Sequence, residues 1–346
     1  MQYVVHAETA NEVWSRLASK LAELGDDDLV DGRGGRTVEL LHVGLSIENP
    51  RQRWVSARQP ALNLPFALAE VLWILSGRRD AGFLTYWNSQ LPAFVGTSPE
   101  LHGAYGFRLR NHFGFDQLDR AASALSATPS SRQVILQVWD PTIDLPSPDG
   151  VPASQDVPCN VMSLLKVRKG CLEWMQIVRS NDIFRGLPYN IVQFTFLQEI
   201  LAGWLGLQPG TYSQVSDSLH SYEHDLASLR SSSTADVAPS SDHYDLPKDS
   251  SHRVISEMVH HASRFIAVDL TEEELSARVS ASTVPAGYAN MLRILAAESA
   301  RRRGWLVLAH RLGAACTNPA LEQMWARWCE GRSRKPDPSE TEWNEG

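Results

Sequence analysis

The sequence predicts an α+β body to about residue 229, followed by a helical segment over 230–346. Three observations predict it. Short apolar runs of strand character alternate with strongly apolar helical runs up to Asp225. A polar, turn-forming stretch from Ser231 to Ser241 then interrupts the chain. Beyond it, nearly every periodic run is helical. At 346 residues the chain is long enough to bury a substantial core, as one large domain or a large domain with an appendage.

Taken in order, Val13, Leu17, Leu21 and Leu24 recur at helical spacing over 10–24, with Asn11 as a cap. A loop rich in glycine and charge follows over 31–36, then a strand over 37–47. Pro65 opens an apolar helix that runs to Leu75 and stops at Gly77. Strands are expected over 134–138, 161–167 and 171–178, with Arg168-Lys169-Gly170 as the hairpin turn between the last two. A second apolar helix covers 191–205, and another strand 211–215. In the C-terminal segment Thr271 and Glu274 form a capping box, and helices follow over 285–302, 303–315 and 319–330. The polar tail from Arg332 is expected to fray.

Composition narrows the function. The net charge of −8 argues against a nucleic-acid polymer as partner, because such surfaces carry a basic excess. Cys159, Cys171, Cys316 and Cys329 lack close pairing, which suits reduced thiols. The histidines, His260-His261 included, lack metal-ligand spacing, so no metal is assigned. Neither a signal peptide nor a membrane-length apolar run is evident. The expectation is a soluble cytoplasmic protein.

One constellation carries chemistry. Pro158-Cys159-Asn160 presents a thiol at a strand start, and Val178-Arg179-Ser180-Asn181-Asp182 follows on the next strand. A thiolate is the reactive form of cysteine, and a nearby arginine favours it; the same guanidinium fork suits a phosphate, which Ser180 could help to bind. Alone, Cys159 is more often inert packing and Arg179 a surface ion pair. Asn190 closes Gly186-Leu187-Pro188-Tyr189-Asn190, a turn that would aim its amide. Such an amide matches the N3 and O4 edge of uracil or, reversed, the N3 and N4 edge of cytosine. His220 and Tyr222, two apart on a strand, share a face and could bond ribose hydroxyls.

Across about residues 30 to 225 this set resembles the thymidylate synthases and their nucleotide hydroxymethylase relatives, in the Cys159-Arg179-Asn190-His220 spacings and in Gly-Leu-Pro-x-Asn. The resemblance implies a thymidylate synthase-like twisted mixed β-sheet with flanking helices, packed sheet to sheet as a homodimer. It implies that Cys159 adds to C6 of a pyrimidine nucleoside monophosphate, whose C5 then attacks the one-carbon unit of 5,10-methylenetetrahydrofolate. Glu70 then corresponds to the glutamate that organises proton transfer, and Tyr105 to the active-site tyrosine. Arg33 corresponds to the mobile phosphate arginine, Arg132 to the one lent across the dimer, and Asp182 to the aspartate near base and folate.

The departures are specific. Asn160 stands where the family usually has histidine, and Gln133 where it has the second cross-subunit arginine. Pro92 and Val95 fall where two tryptophans line the folate pocket, and the chain ends in acidic residues 342–346 in place of an apolar tail. A wetter pocket favours water over hydride at the exocyclic methylene, hence a hydroxymethyl product. By the resemblance, Asn190 in place of the aspartate of a deoxycytidylate hydroxymethylase favours uracil, while Asn160 could help accept a cytosine amino group. The alternatives are a thymidylate synthase making dTMP and a non-catalytic nucleotide-binding homologue.

Overall fold

The computed structural model describes residues 3–32, 34–231 and 238–333. Arg33 and the 342–346 end lie outside the described residues. The sheet is mixed. Its strands among the described residues are β1 (Tyr3–Ala7), β2 (Leu29–Gly32), β3 (Gly35–Ile47), β4 (Ile135–Gln137), β5 (Asn160–Arg168), β6 (Cys171–Asp182) and β7 (Gln208–Tyr222). They lie in the order β1-β3-β7-β6-β5-β4, with β2 paired to β3. β1 runs parallel to β3 and β6 parallel to β7; the other pairs are antiparallel. The expected turn joins β5 to β6, with Lys169 at φ 50° and Gly170 at φ 77°, the left-handed pair of a tight hairpin.

β6 and β7 are longer than the apolar pattern suggests, because their inward positions include Gln176, Gln214 and Ser216, all buried. Inward polar residues break the period-2 signal on which the strand limits rested. At one level across three strands the alternation also slips by a residue. Inward positions run Trp174, Gln176, Val178 and then Asn181 on β6, and Tyr212, Gln214, Ser216 and then Leu219 on β7. At the same level on β3, His42 adopts φ 54° and its Nδ1 lies 2.8 Å from Asp217 Oδ1. A bulge of this kind re-aims the side chains that follow it. Here those residues are Ser180, Asp182, Ser218, His220 and Tyr222.

The body helices are α1 (Ala10–Ala22), α2 (Leu64–Leu75), α3 (Ala81–Trp87), α4 (Leu91–Val95), α5 (Tyr105–Phe107), α6 (Gln117–Ala127), α7 (Pro141–Asp144), α8 (Leu187–Trp204) and α9 (Leu226–Ser231). α8 is buried almost throughout and packs on β6 and β7. It begins at Leu187, earlier than the apolar pattern, because Pro188 is favourable in a first helical turn. Asn190 therefore sits on the helix itself and not on a preceding turn. The segment beyond residue 238 forms α10 (Lys248–Phe265), α11 (Glu272–Ala281), α12 (Ala286–Arg302), α13 (Leu306–Ala314) and α14 (Pro319–Ser333). Only half of the expected capping box forms. Thr271 accepts from Glu274 N, but the Glu274 carboxylate is taken by Arg264 and Arg278. The complete box is at Thr9 and Glu12.

α10, α12 and α14 pack on α2, and one continuous buried core joins both parts of the chain. Within it Arg53 stacks 4.0 Å over Phe196 and pairs with the fully buried Glu199, which Arg51 also holds at 2.8 Å. Glu199, His243 and Asp245 come close enough to suggest a cation site, but Arg51 and Arg53 already supply the positive charge there. No helix among the described residues is long and apolar enough to cross a membrane.

Candidate active site

A cleft of about 1590 Å³ opens where β6 and β7 end, bounded by α2 and the start of α8. Cys159 ends the loop before β5 and is partly exposed to this cleft. Arg179 is wound around that loop. Its Nε donates to Pro158 O and its Nη2 to Val157 O, each at 3.0 Å, and Nη2 lies 4.0 Å from Cys159 Sγ. The backbone closes the same contact, since Arg179 N donates to Cys159 O at 2.9 Å. The cation therefore fixes the presentation of the thiol as well as standing beside it.

Glu70 reaches the cleft from α2, a helix otherwise buried on every side. Burial pushes its carboxyl up to about 7, against the opposing hydrogen bond from Gln193 Nε2 at 2.6 Å. A carboxyl poised near neutrality can both give and take a proton. Tyr105 stands beside it. A Cβ on Gly106 would lie 2.3 Å from Ile74 O, so only glycine lets α5 approach α2 this closely. Burial, and then proximity to Cys159, raise the Tyr105 hydroxyl, while a hydrogen bond from Asn160 opposes them.

The other wall comes from the strand ends. Asp182 Oδ1 accepts from Phe184 N and Arg185 N, at 2.6 and 2.8 Å, and so closes the turn into α8. Its register partner His220 is held below the ordinary imidazole range by burial, with the Asp182 charge opposing. His220 and Tyr222 meet edge to face at 5.6 Å. Gly34 packs on Tyr222, where a Cβ would fall 2.6 Å from the hydroxyl. This brings the glycine-rich loop to the His220–Tyr222 pair.

Cys159, Glu70, Tyr105, Arg179, Ser180, Asp182, Asn190, His220 and Tyr222 thus share one cleft. Two of the expected residues do not join them, and Arg33 lies outside the described residues. Asn160 is fully buried behind the wall, bonded to Asn190, Gln176 and Tyr105, so it acts on the cleft through Asn190 and Tyr105 and does not line it. Arg132 is exposed and lines no part of its own chain's cleft. Sequence reasoning missed Gln193, although it lies one helical turn after Asn190. It also missed Arg58, Trp73, Trp139 and, from α14, Trp328 and Arg332. Nothing local marks these; distant packing brings them to the cleft.

A thiol beside a guanidinium, a carboxyl poised near neutrality and a side-chain amide around one cleft are groups that transferase chemistry uses. Comparison with known proteins agrees. Residues 43–252, more than half of the chain, match the thymidylate synthase family, and the chain belongs to that family. It is 34% identical over 211 residues to the deoxyuridylate hydroxymethyltransferase of Bacillus phage SP01, covering 58% of this chain and 54% of the phage protein. It is likewise 34% identical over 179 residues to the deoxyuridylate hydroxymethyltransferase of Pseudomonas phage M6, 51% of this chain and 50% of that one. A thymidylate synthase of Phytoplasma mali is 32% identical over 137 residues, 38% of this chain and 44% of its own. The chain spans about half the length of the curated phage relatives it matches. Trp328 and Arg332 lie beyond the family match.

Proposed function

We propose that the protein hydroxymethylates C5 of a pyrimidine nucleoside 5′-monophosphate, dUMP or a cytidylate (CMP or dCMP), with 5,10-methylenetetrahydrofolate as co-substrate. The observation that carries this reading is the thiol of Cys159 held by Arg179 in the cleft that also contains Glu70 and Asn190. Cys159 Sγ bonds to C6, and the electron pair displaced to C5 makes that carbon a nucleophile. Methylenetetrahydrofolate supplies the one-carbon unit at the oxidation level of formaldehyde. Glu70, near neutrality, handles the protons that leave C5 and return to the leaving amine. Water then adds to the exocyclic carbon and the C6–S bond breaks. The nucleotide gains CH₂O and tetrahydrofolate is released.

Two things support water as the nucleophile that adds last. The names of both phage relatives specify hydroxymethyl transfer to deoxyuridylate. The cleft edge near residues 88–95 is lined by Asn88, Gln90, Leu91, Phe94 and Val95, a mixed surface without an indole. The amides of Asn88 and Gln90 can hold water at this edge where a wholly aromatic wall would exclude it. A homodimer fits the open sheet face. One cross-strand row on it reads Ile135, Leu164, Met175 and Ser213, with Ile135 48% and Met175 40% exposed. In such a pair the exposed Arg132 would be the residue offered to the partner's phosphate, as the family resemblance implies.

Mass spectrometry of the product tests this reading, with methylenetetrahydrofolate and each of dUMP, UMP, dCMP and CMP. Gain of CH₂O is expected from one of them. Gain of CH₂ with release of dihydrofolate would make the protein a methylating synthase, and binding without product would make it a non-catalytic homologue.

A further inference from the structure

Behind the cleft wall runs a line of side-chain amides whose one cleft-lining amide is Asn190, with the Tyr105 hydroxyl bonded to the line at Asn160. Trp174 Nε1 donates to Gln176 Oε1 at 3.1 Å, and Ser163 Oγ donates to the same oxygen at 2.6 Å. Gln176 Nε2 donates to Asn160 Oδ1 at 2.9 Å, and Asn160 Nδ2 to Asn190 Oδ1 at 3.0 Å. Asn190 Nδ2 donates to Asn181 Oδ1 at 3.1 Å, and Asn181 Nδ2 to Ser216 Oγ at 3.0 Å. Trp174, Ser163, Gln176, Asn160, Asn181 and Ser216 are at most 1% exposed. Gly186 makes room for the line, since a Cβ there would lie 2.6 Å from Asn181 Oδ1.

An amide has a donor end and an acceptor end, so each link dictates the direction of the next. One member of the line has no choice. An indole N–H donates and cannot accept, so the end of Gln176 that faces Trp174 must be its oxygen. That fixes Asn160, which fixes Asn190. Beyond Asn181 the line continues, since Ser216 Oγ also accepts from Gln214 Nε2 at 3.1 Å and Gln214 Oε1 accepts from the Tyr212 hydroxyl at 2.8 Å; both hydroxyls there are able to donate or accept, so that end imposes no direction of its own. The orientation of Asn190 is therefore set from Trp174, three links away.

We propose that Trp174, acting through Gln176 and Asn160, is the positioning residue that decides which pyrimidine the cleft accepts. This rests on the one-carbon-transfer reading above. With C6 bound to Cys159, ring positions 3 and 4 occupy fixed places. Uracil offers a donor at position 3 and an acceptor at position 4, and cytosine offers the reverse. An amide locked in one direction pairs with one base and leaves buried polar groups unpaired against the other, a mismatch able to discriminate by about two orders of magnitude or more. An amide free to turn would accept both.

The test uses the full chain and measures Kd for dUMP and for dCMP, with kcat/KM for each. Trp174→Phe removes the obligate donor and leaves Ser163, whose hydroxyl serves either direction. The ratio between the two bases, whichever is preferred, is expected to fall by about tenfold or more, mainly because the disfavoured base binds better. Ser163→Ala removes a hydrogen bond to the same oxygen but leaves Trp174, so the ratio is expected to hold. A merely structural role would give the two variants the same effect. If Trp174→Phe does not fold, Gln176→Met breaks the line at the next link and is expected to lower the ratio likewise. A folded Trp174→Phe or Gln176→Met variant with an unchanged ratio overturns the proposal. Failure of the wild-type protein to bind any pyrimidine monophosphate overturns the functional reading beneath it.

Discussion

Glu70→Gln keeps the oxygen that accepts from Gln193 Nε2 and removes the ionisable proton. Burial moves the carboxyl from an ordinary 4.5 to about 7. Between those values the unfolded chain has released its proton and the folded one has not. The wild-type protein therefore loses stability as pH rises from 4.5 to about 7, by about 1.4 kcal/mol per pH unit at the steepest. Integrated over the window, the cost approaches about 3 kcal/mol, an upper figure because the cleft leaves water on one side of the carboxyl. The amide escapes this cost. Urea denaturation of both proteins at pH 4.5, 6, 7 and 8 isolates it, since every other titrating group is common to the pair. The stability of the variant relative to wild type should rise through the window and level off above about 7. The same variant should lose any break near 7 in the pH profile of kcat, together with most of the turnover, if Glu70 handles the protons. A stability difference that stays flat with pH refutes the assignment of a desolvated carboxyl.

Two further outcomes are expected. Cys159→Ser should abolish turnover while leaving nucleotide Kd within about threefold of wild type, because the guanidinium and amide contacts remain; a variant that still turns over rules out the covalent route. Trp328→Ala should remove a nearly buried indole that donates to Glu298 at 3.2 Å and lies under Arg332 at 4.4 Å. The expected loss is about 3 kcal/mol of stability by denaturant unfolding, with a rise in KM for at least one of the two substrates, since Trp328 lines the cleft. Unchanged KM for both substrates would place α14 outside the working part of the cleft.

Much of the site was legible because its reactive residues occur in local runs. The thiol at the head of β5, the Arg179 to Asp182 stretch and the His220–Tyr222 pair each depend on spacing within one element, and period-2 alternation survives in sequence. Glu70 was legible as a charge on an otherwise apolar helix. Asn190 was legible as a residue type but was misplaced on a turn, because Pro188 reads equally as a turn and as a helix start.

By itself, then, the sequence determined the α+β body, the helical C-terminal segment, the thiol that lines the cleft and most of the residues around it. Only the tertiary structure decided that β3, β6 and β7 slip together at His42, Asp217 and Arg179, that α14 reaches the cleft, and that Asn160 is buried behind its wall. Side-chain spacing encodes the faces of one element. The direction of a hydrogen-bonded amide is settled by partners far apart in the chain, and ultimately by one indole that can only donate.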